Sequence, residues 1–224
     1  MKQYIYADNA ATTQLDEAAF EAMKPYLLTE YANASQPYRL ARNAKKAIKE
    51  SREMIAECIG AKPEEIFFTS GGTESDNWAI KGSAFVDTEK RLTITSEIEH
   101  HAVLRSCEDI ERLGYPVTYL PVDSKGRVQP KTLSERIGDN TRLVSIMLAN
   151  NEIGSVQDIA ALLNIAHAHG ALFHTDAVQA VGHISVDVNA LGVDMLSASA
   201  HKFNGPKGIG FLYVRTGTNI APYL

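Results

Sequence analysis

The chain has 224 residues, 45% of them apolar and 22% charged, and a formal net charge of −5 at pH 7. That is the balance of a globular chain long enough for one large domain with a real core, and a net acidic chain without a basic run offers nucleic acid no electrostatic purchase. The N-terminus, MKQYIYADNAATT, lacks the apolar centre of a signal peptide, and no apolar run reaches the ~20 residues a membrane span needs, so a cytoplasmic protein with no membrane partner is expected.

A first helix is predicted from Asp16 to Leu28, followed by the polar, turn-rich TEYANASQPY. A long helix then runs from Arg39 to Ile59. Ala44, Ala47, Ile48, Ser51, Met54, Ile55, Cys58 and Ile59 fall at three- and four-residue steps, and Gly60 supplies the stop. From there strands and helices alternate. Strands are predicted at 64–70, 92–96, 117–122, 143–149, 171–177, 194–199 and 208–214. Helices are predicted at Thr73–Phe85, Ala102–Leu113, Pro130–Ile137 and Asp158–His169. Such alternation indicates an α/β fold: three layers, α/β/α, around a mainly parallel but mixed sheet. The last two strands are joined too closely for a parallel crossover, so one runs antiparallel to its neighbour or pairs elsewhere. Cys58 and Cys107 form no metal or redox spacing and fall at apolar helix positions, which reads as buried structural thiols.

Chemistry concentrates at the predicted strand ends. SASAHKFNGPKGIGFLYV places Lys202 in a turn between two strands. Burial there disfavours the ammonium form, lowers the pKa and yields a nucleophilic amine, as a lysine forming a Schiff base with a carbonyl cofactor requires. The plainer reading is a surface lysine before a glycine-rich turn. TSGGTESDN turns at Gly71 and Gly72 into a helix that Thr73 is placed to cap, with Asp76 completing a variant capping box. Its free amides and helix dipole make a phosphate cradle, or merely a well-capped strand–turn–helix joint. It is not a P-loop, since no lysine follows the glycines in that pattern.

EHHAV offers His100 to stack on a planar ring or move a proton, while His101 reads as a surface residue. A zinc site from His167, His169 and His174 is disfavoured, because His167 and His169 point to different helix faces. ANNEIG puts Asn151 at a strand's carboxyl end, where open α/β sheets bind ligands and where asparagine also suits turns. HTDAVQA ends a strand on Asp176, an acid costly to bury unless it meets a cation such as a pyridinium nitrogen. Gln179, three residues on, is placed to hydrogen-bond a phenolic oxygen of the same ring; the alternative for Asp176 is a helix N-cap.

In order along the chain, YADNAATT, TSGGTESDN, ITSEIEHHAVL, LANNEIG, FHTDAVQAVG and SAHKFNGPKGIG resemble the NifS/IscS-type cysteine desulfurases, fold-type I pyridoxal phosphate enzymes. The resemblance implies pyridoxal 5′-phosphate on Lys202, Asp176 on the pyridine nitrogen, Gln179 on the phenolic oxygen and His100 stacked on the ring. It implies a phosphate held by Gly72, Thr73, Ser199 and His201, with Asn151 on cofactor or substrate and Asn33 on the substrate side. The implied substrate is L-cysteine, the partners a sulfur-accepting scaffold or carrier and a second copy in a homodimer. Residues 1–15 would be an N-terminal segment beside a C-terminal small domain, and 16–224 the cofactor-binding large domain.

The family's sulfur-accepting cysteine and its substrate-binding arginine lie in that small domain, which the resemblance makes absent here. The expectation is a short chain without desulfurase activity of its own, with mobile first residues and a mobile stretch after Val214. Alternatives are another fold-type I lyase or aminotransferase, such as a selenocysteine lyase, and a truncated product that only binds the cofactor.

Overall fold

The computed structural model describes residues 4–87 and 89–222. Its seven strands are β1 (Ile66–Thr69), β2 (Leu92–Ser96), β3 (Val117–Leu120), β4 (Thr141–Ser145), β5 (Leu172–Asp176), β6 (Met195–Ser199) and β7 (Gly210–Val214). The helices are α1 (Glu17–Leu28), α2 (Ala41–Cys58), α3 (Gly72–Ala84), α4 (His101–Arg112), α5 (Pro130–Ser134), α6 (Ile159–Ala168) and α7 (Val188–Leu191). The strands form one sheet in the order β1-β7-β6-β5-β4-β2-β3. Only β7 runs against its neighbours, β1 and β6. The other pairings are parallel, so the carboxyl ends of six strands share one edge. The short β6–β7 connection forces the reversal, as its length requires.

Period-two alternation sorts the core. Along β7, Leu212 and Val214 pack with Ala79, Ile80, Val103, Cys107 and Ile110 of α3 and α4. Phe211 and Tyr213 face the opposite layer, with Ile59, Leu162, Ala166 and Phe173. Asp16 starts α1 by accepting from the Ala18 and Ala19 N–H groups (2.8 and 3.3 Å), and Asp158 starts α6 by accepting from Ala161 N–H (3.1 Å).

Several expectations are corrected. The ladder of β4 covers Thr141–Ser145 rather than 143–149. The side-chain carboxylate of Glu99 takes the Met147 N–H (3.2 and 3.0 Å), which ends pairing on the β2 side. The periodic face of α2 buries only Ala41 and Ala56 within the helix, while Ile48 and Met54 are 45% and 59% exposed. Cys58 is therefore exposed, against expectation; Cys107 is buried. Of the residues after Val214, the described stretch 215–222 is hydrogen-bonded to the body of the fold. Ala221 N–H donates to Gly82 O (2.9 Å), Trp78 Nε1 donates to Ala221 O (2.9 Å), and the Arg142 guanidinium bonds to Asn219 O. The unpredicted α7 is a single turn capped by Asp187, too short to show a period.

At the other end, Thr13 N–H donates to His201 O (2.8 Å), Asp16 N–H to Asn204 O (2.9 Å), and Asn204 N–H to Thr13 Oγ1 (2.7 Å). Residues 13–16 are thus fastened to the turn that carries Lys202. Among the described residues, no helix is long and apolar enough to cross a membrane.

Candidate functional site

The shared strand edge opens into a cavity of about 220 Å³. Gly72 and Thr73 enter it from the start of α3, His100 from the start of α4 and Asn151 from the turn after β4. Asp176 and Gln179 come from the end of β5 and its following turn, and Ser199, His201 and Lys202 from the end of β6. Every candidate residue except Asn33 lines this one space. Asn33 closes its own turn by accepting from Ser35 N–H (2.9 Å) and does not line the cavity.

The anion-binding end is built from backbone. Gly71 precedes α3 with φ +153°, a conformation open to glycine, and no side chain caps the helix. Thr73 and Asp76 therefore do not form the expected box. Glu74 reaches back instead and accepts from Ser70 N–H (2.6 Å). The amides of Gly72 and Thr73 have no partner among the described residues, and a 13-residue helix directs its dipole along them. A Cβ on Gly72 would meet Val178 at 2.7 Å, so that residue is dictated by close packing.

Lys202 sits in a single 3-10 turn after β6, and its ammonium donates to the carbonyls of Ala10 and Ala11. Burial lowers its pKa, while Asp176 and Asp8 oppose that shift. Gln179 Nε2 donates to the same Ala10 carbonyl (2.8 Å). His100 caps α4 through Nδ1, which accepts from Ala102 N–H (3.1 Å), so the proton of the neutral ring is on Nε2. His201 Nδ1 pairs with Thr12 Oγ1 (3.0 Å), and burial lowers the His201 pKa. Of the two adjacent asparagines, Asn150 is structural: Nδ2 donates to Ile98 O (2.8 Å), and Oδ1 accepts from Glu152 and Ile153 N–H. Asn151 faces the cavity.

Asp176 is 4% exposed and accepts one hydrogen bond, from Val178 N–H (2.9 Å). Burial raises its pKa, and that backbone bond, His100 and Lys202 oppose the rise. The chain thus supplies a buried acid with one filled acceptor position and a cavity before it. The donor set suits a planar cationic ring with a phosphate tail: a buried acid for the cation, free amides grouped with Ser199 and His201 for the phosphate, and an amine in the same cavity.

Sequence reasoning gave Asp76 only a capping role and assigned none to Glu99 or His174. Asp76 lies in the cavity wall and Glu99 beside it, both buried. The signal for Asp76 was its position on the face it shares with Ala79, Ile80 and Ser83, all buried. His174 is fully buried, with Nδ1 2.8 Å from Ser145 Oγ and Nε2 2.9 Å from Ser197 Oγ. Burial pushes its pKa down to about 3, so it is neutral. His167 pairs with Asp194 (2.9 Å), and His169 lies 3.6 Å from Asp139.

Glu99 accepts from Ser96 Oγ (2.5 Å) and from Met147 N–H, and burial pushes its pKa up to about 8 from 4.5. Its raised folded pKa contributes stability that is lost as pH climbs towards 8. Above about pH 6.5, the ordinary histidine value, the opposing slope from neutral His174 fades. Urea unfolding of the parent chain should therefore show stability falling from pH 6.5 to 8, with a shallower fall in Glu99→Gln. Equal slopes in the two proteins would contradict the buried neutral acid.

A family model described as aminotransferase class-V matches residues 5–223. Cysteine desulfurase IscS of Dictyoglomus turgidum is 54% identical over 225 residues, which is 100% of this chain and 57% of that protein. The chain spans a little over half the length of the curated relatives it matches most strongly. Among solved structures, a NifS-like protein superimposes with a TM-score of 0.96 at 40% identity, covering 99% of this chain and 62% of that one. A second, described as SspA in complex with cysteine, gives 0.95 at 44% identity over 99% and 65%.

Proposed function

We propose, since this chain belongs to the aminotransferase class-V family, that its cavity is the cofactor site of a cysteine desulfurase. Proteins of this family depend on pyridoxal 5′-phosphate. The whole protein would take sulfur from L-cysteine, leave alanine and place the sulfur on a protein thiol as a persulfide. A scaffold or carrier for iron–sulfur or thio-cofactor assembly would receive it. One observation carries the reading. Lys202, Asp176, Gly72 and Thr73 all line one cavity, although they come from three separate stretches of the sequence.

Bound there, pyridoxal phosphate supplies an electron sink for a substrate carbanion. The protein's residues do the rest. Asp176 holds a proton on the ring nitrogen by keeping its negative charge beside it. Gly72 and Thr73 N–H, Ser199 and His201 hold the phosphate. Lys202 would hold the cofactor through its amine, and the same amine would serve to move a proton at the substrate carbon. His100 would cover the ring and present Nε2–H. In the empty protein the Ala10 and Ala11 carbonyls accept from the Lys202 ammonium. Desulfuration also needs a thiolate, and neither cysteine of this chain lines the cavity. Cys107 is buried, and burial pushes its thiol up to about 12. Cys58 borders a separate groove with Val181, His183 and Phe203.

The proposal includes self-association. Leu27, Leu28, Tyr31, Leu40 and Met54 are 59–78% exposed on and around α1 and α2, an apolar surface of the kind that recruits a partner.

Pyridoxal phosphate added to the folded chain should produce a visible absorption band, and borohydride should then fix the cofactor on the peptide containing Lys202. Labelling of another lysine, or no labelling of a folded sample, would remove the assignment.

A further inference from the structure

The cavity wall contains a second acid that the proposed chemistry does not use. Asp76 is 1% exposed and lines the same cavity as Asp176. Its Oδ1 has no hydrogen-bond partner among the described residues. The nearest ring nitrogen, His174 Nε2, is 3.6 Å away, too far for a bond, and is engaged by Ser197. His174 cannot answer with charge, because full burial keeps it neutral and hydroxyls occupy both nitrogens. The groups facing Asp76 are therefore a neutral imidazole, the Ser197 hydroxyl and two further carboxyls, Asp176 and Glu99. None is a cation. Asp176 differs, since it has the Val178 N–H and lies within the fields of His100 and Lys202.

Two buried carboxylates in one wall repel, and such a pair holds a shared proton on the member with the poorer surroundings. An ionised oxygen without a donor is the costliest arrangement available to a buried acid, whereas a protonated one is itself a donor. We propose that Asp76 is a positioning residue of this site: a carboxylic acid kept neutral in the cavity wall, which confines the negative charge to Asp176. Burial, Asp176 and Glu99 raise the Asp76 pKa and the Ser197 hydroxyl opposes them, with the balance well upward, in keeping with that assignment. Were Asp76 charged, its field would draw the next proton onto Asp176 and remove the charge a cationic ring needs. The inference rests on reading the cavity as a pyridoxal phosphate site, but the state of Asp76 belongs to the empty protein.

Infrared spectra of the chain labelled with [13C]aspartate read that proton directly. A label-shifted carbonyl stretch of a protonated aspartic acid should persist from pH 6 to 8, vanish in Asp76→Asn and survive in Asp176→Asn. With pyridoxal phosphate as the probe, Asp76→Ala should bind roughly tenfold more weakly than the parent. Asp76→Asn, a neutral isostere of the acid, should restore affinity to within about threefold, while Asp176→Asn stays about a hundredfold weak. Absence of the infrared band overturns the proposal, as does an Asp76→Asn as damaged as Asp176→Asn, since Asp76 would then be the charged group. If Asp76→Asn does not fold, the spectra of the parent and Asp176→Asn decide: a band in both supports a neutral Asp76, and loss of it in Asp176→Asn overturns one. If Asp176→Asn binds as tightly as the parent, the cofactor reading fails, and the spectrum still decides the state of Asp76.

Discussion

Pyridoxal phosphate should bind Asp176→Asn about a hundredfold more weakly than the parent chain, and the complex should lose its visible band. Asp176 is the buried carboxyl with a cavity before it and cationic neighbours. Removing one partner of a buried charge pair costs about 3–5 kcal/mol, because the other charge is left unpaired, so a hundredfold, about 2.7 kcal/mol, is the lower end of the expected loss. Asparagine keeps an oxygen to accept from Val178 N–H, so the turn after β5 should survive. The loss should therefore appear in binding without a comparable loss of stability. Fluorescence titration with the cofactor, alongside urea unfolding of the empty variant, separates the two. A folded variant that binds normally would show that Asp176 does not face the ring.

Gly210→Ala should be the most damaging single methyl in the sheet. A Cβ there would lie 2.4 Å from Ala198 O and 2.8 Å from Gly71 Cα. Both obstacles are backbone: one is the end of β6, the other the residue that turns the chain into α3. Neither can rotate away, so the strand edge itself must open. Overpacking of this kind costs typically 1–3 kcal/mol, and with rigid partners on both sides about 3 kcal/mol or more is expected. For a chain of this size that is a fall in Tm of roughly 6–12 °C. Displacing Gly71 also moves the free amides of α3, so phosphate affinity should fall in whatever fraction still folds. Gly208→Ala is the control. It has φ +83° and open space around its Cβ position, so it should cost only the ~1–2 kcal/mol of a left-handed side-chain residue. Equal effects at the two glycines would mean that the β7 edge yields and the steric argument is wrong.

The cavity-lining residues were legible because each stands where a period breaks. Asp176 ends an apolar strand, Gly71 and Gly72 interrupt the passage from β1 to α3, and Lys202 follows β6 within a glycine-rich turn. An acid, a glycine pair or a lysine at such a boundary needs a reason, and a common ligand supplies one. Asn33 illustrates the limit. Its side chain satisfies its own turn at 2.9 Å, and turn chemistry and ligand chemistry use the same amide. Cys58 shows another: its spacing on α2 is apolar, yet the helix face it belongs to is only narrowly covered. Periodicity shows which side chains share a face, but not how much of that face is covered.

The sequence by itself determined the alternation of strands and helices, the layered α/β class, that the last two strands could not be joined by a parallel crossover, and most of the residues that meet at the strand ends. These follow from local periods, caps and loop lengths, which act over a few residues. Only the tertiary structure decided which acid is buried with a filled acceptor and which is left without one. Asp76 and Asp176 are one hundred residues apart in sequence, and each looked locally like a helix-start residue. Their shared wall, the neutral His174 between two serines, and Glu99 bonded to Met147 arise from packing α3 and the turn after β2 against β4, β5 and β6. Charge in a protein interior depends on what surrounds a group in space, and no pattern along the chain encodes that distance.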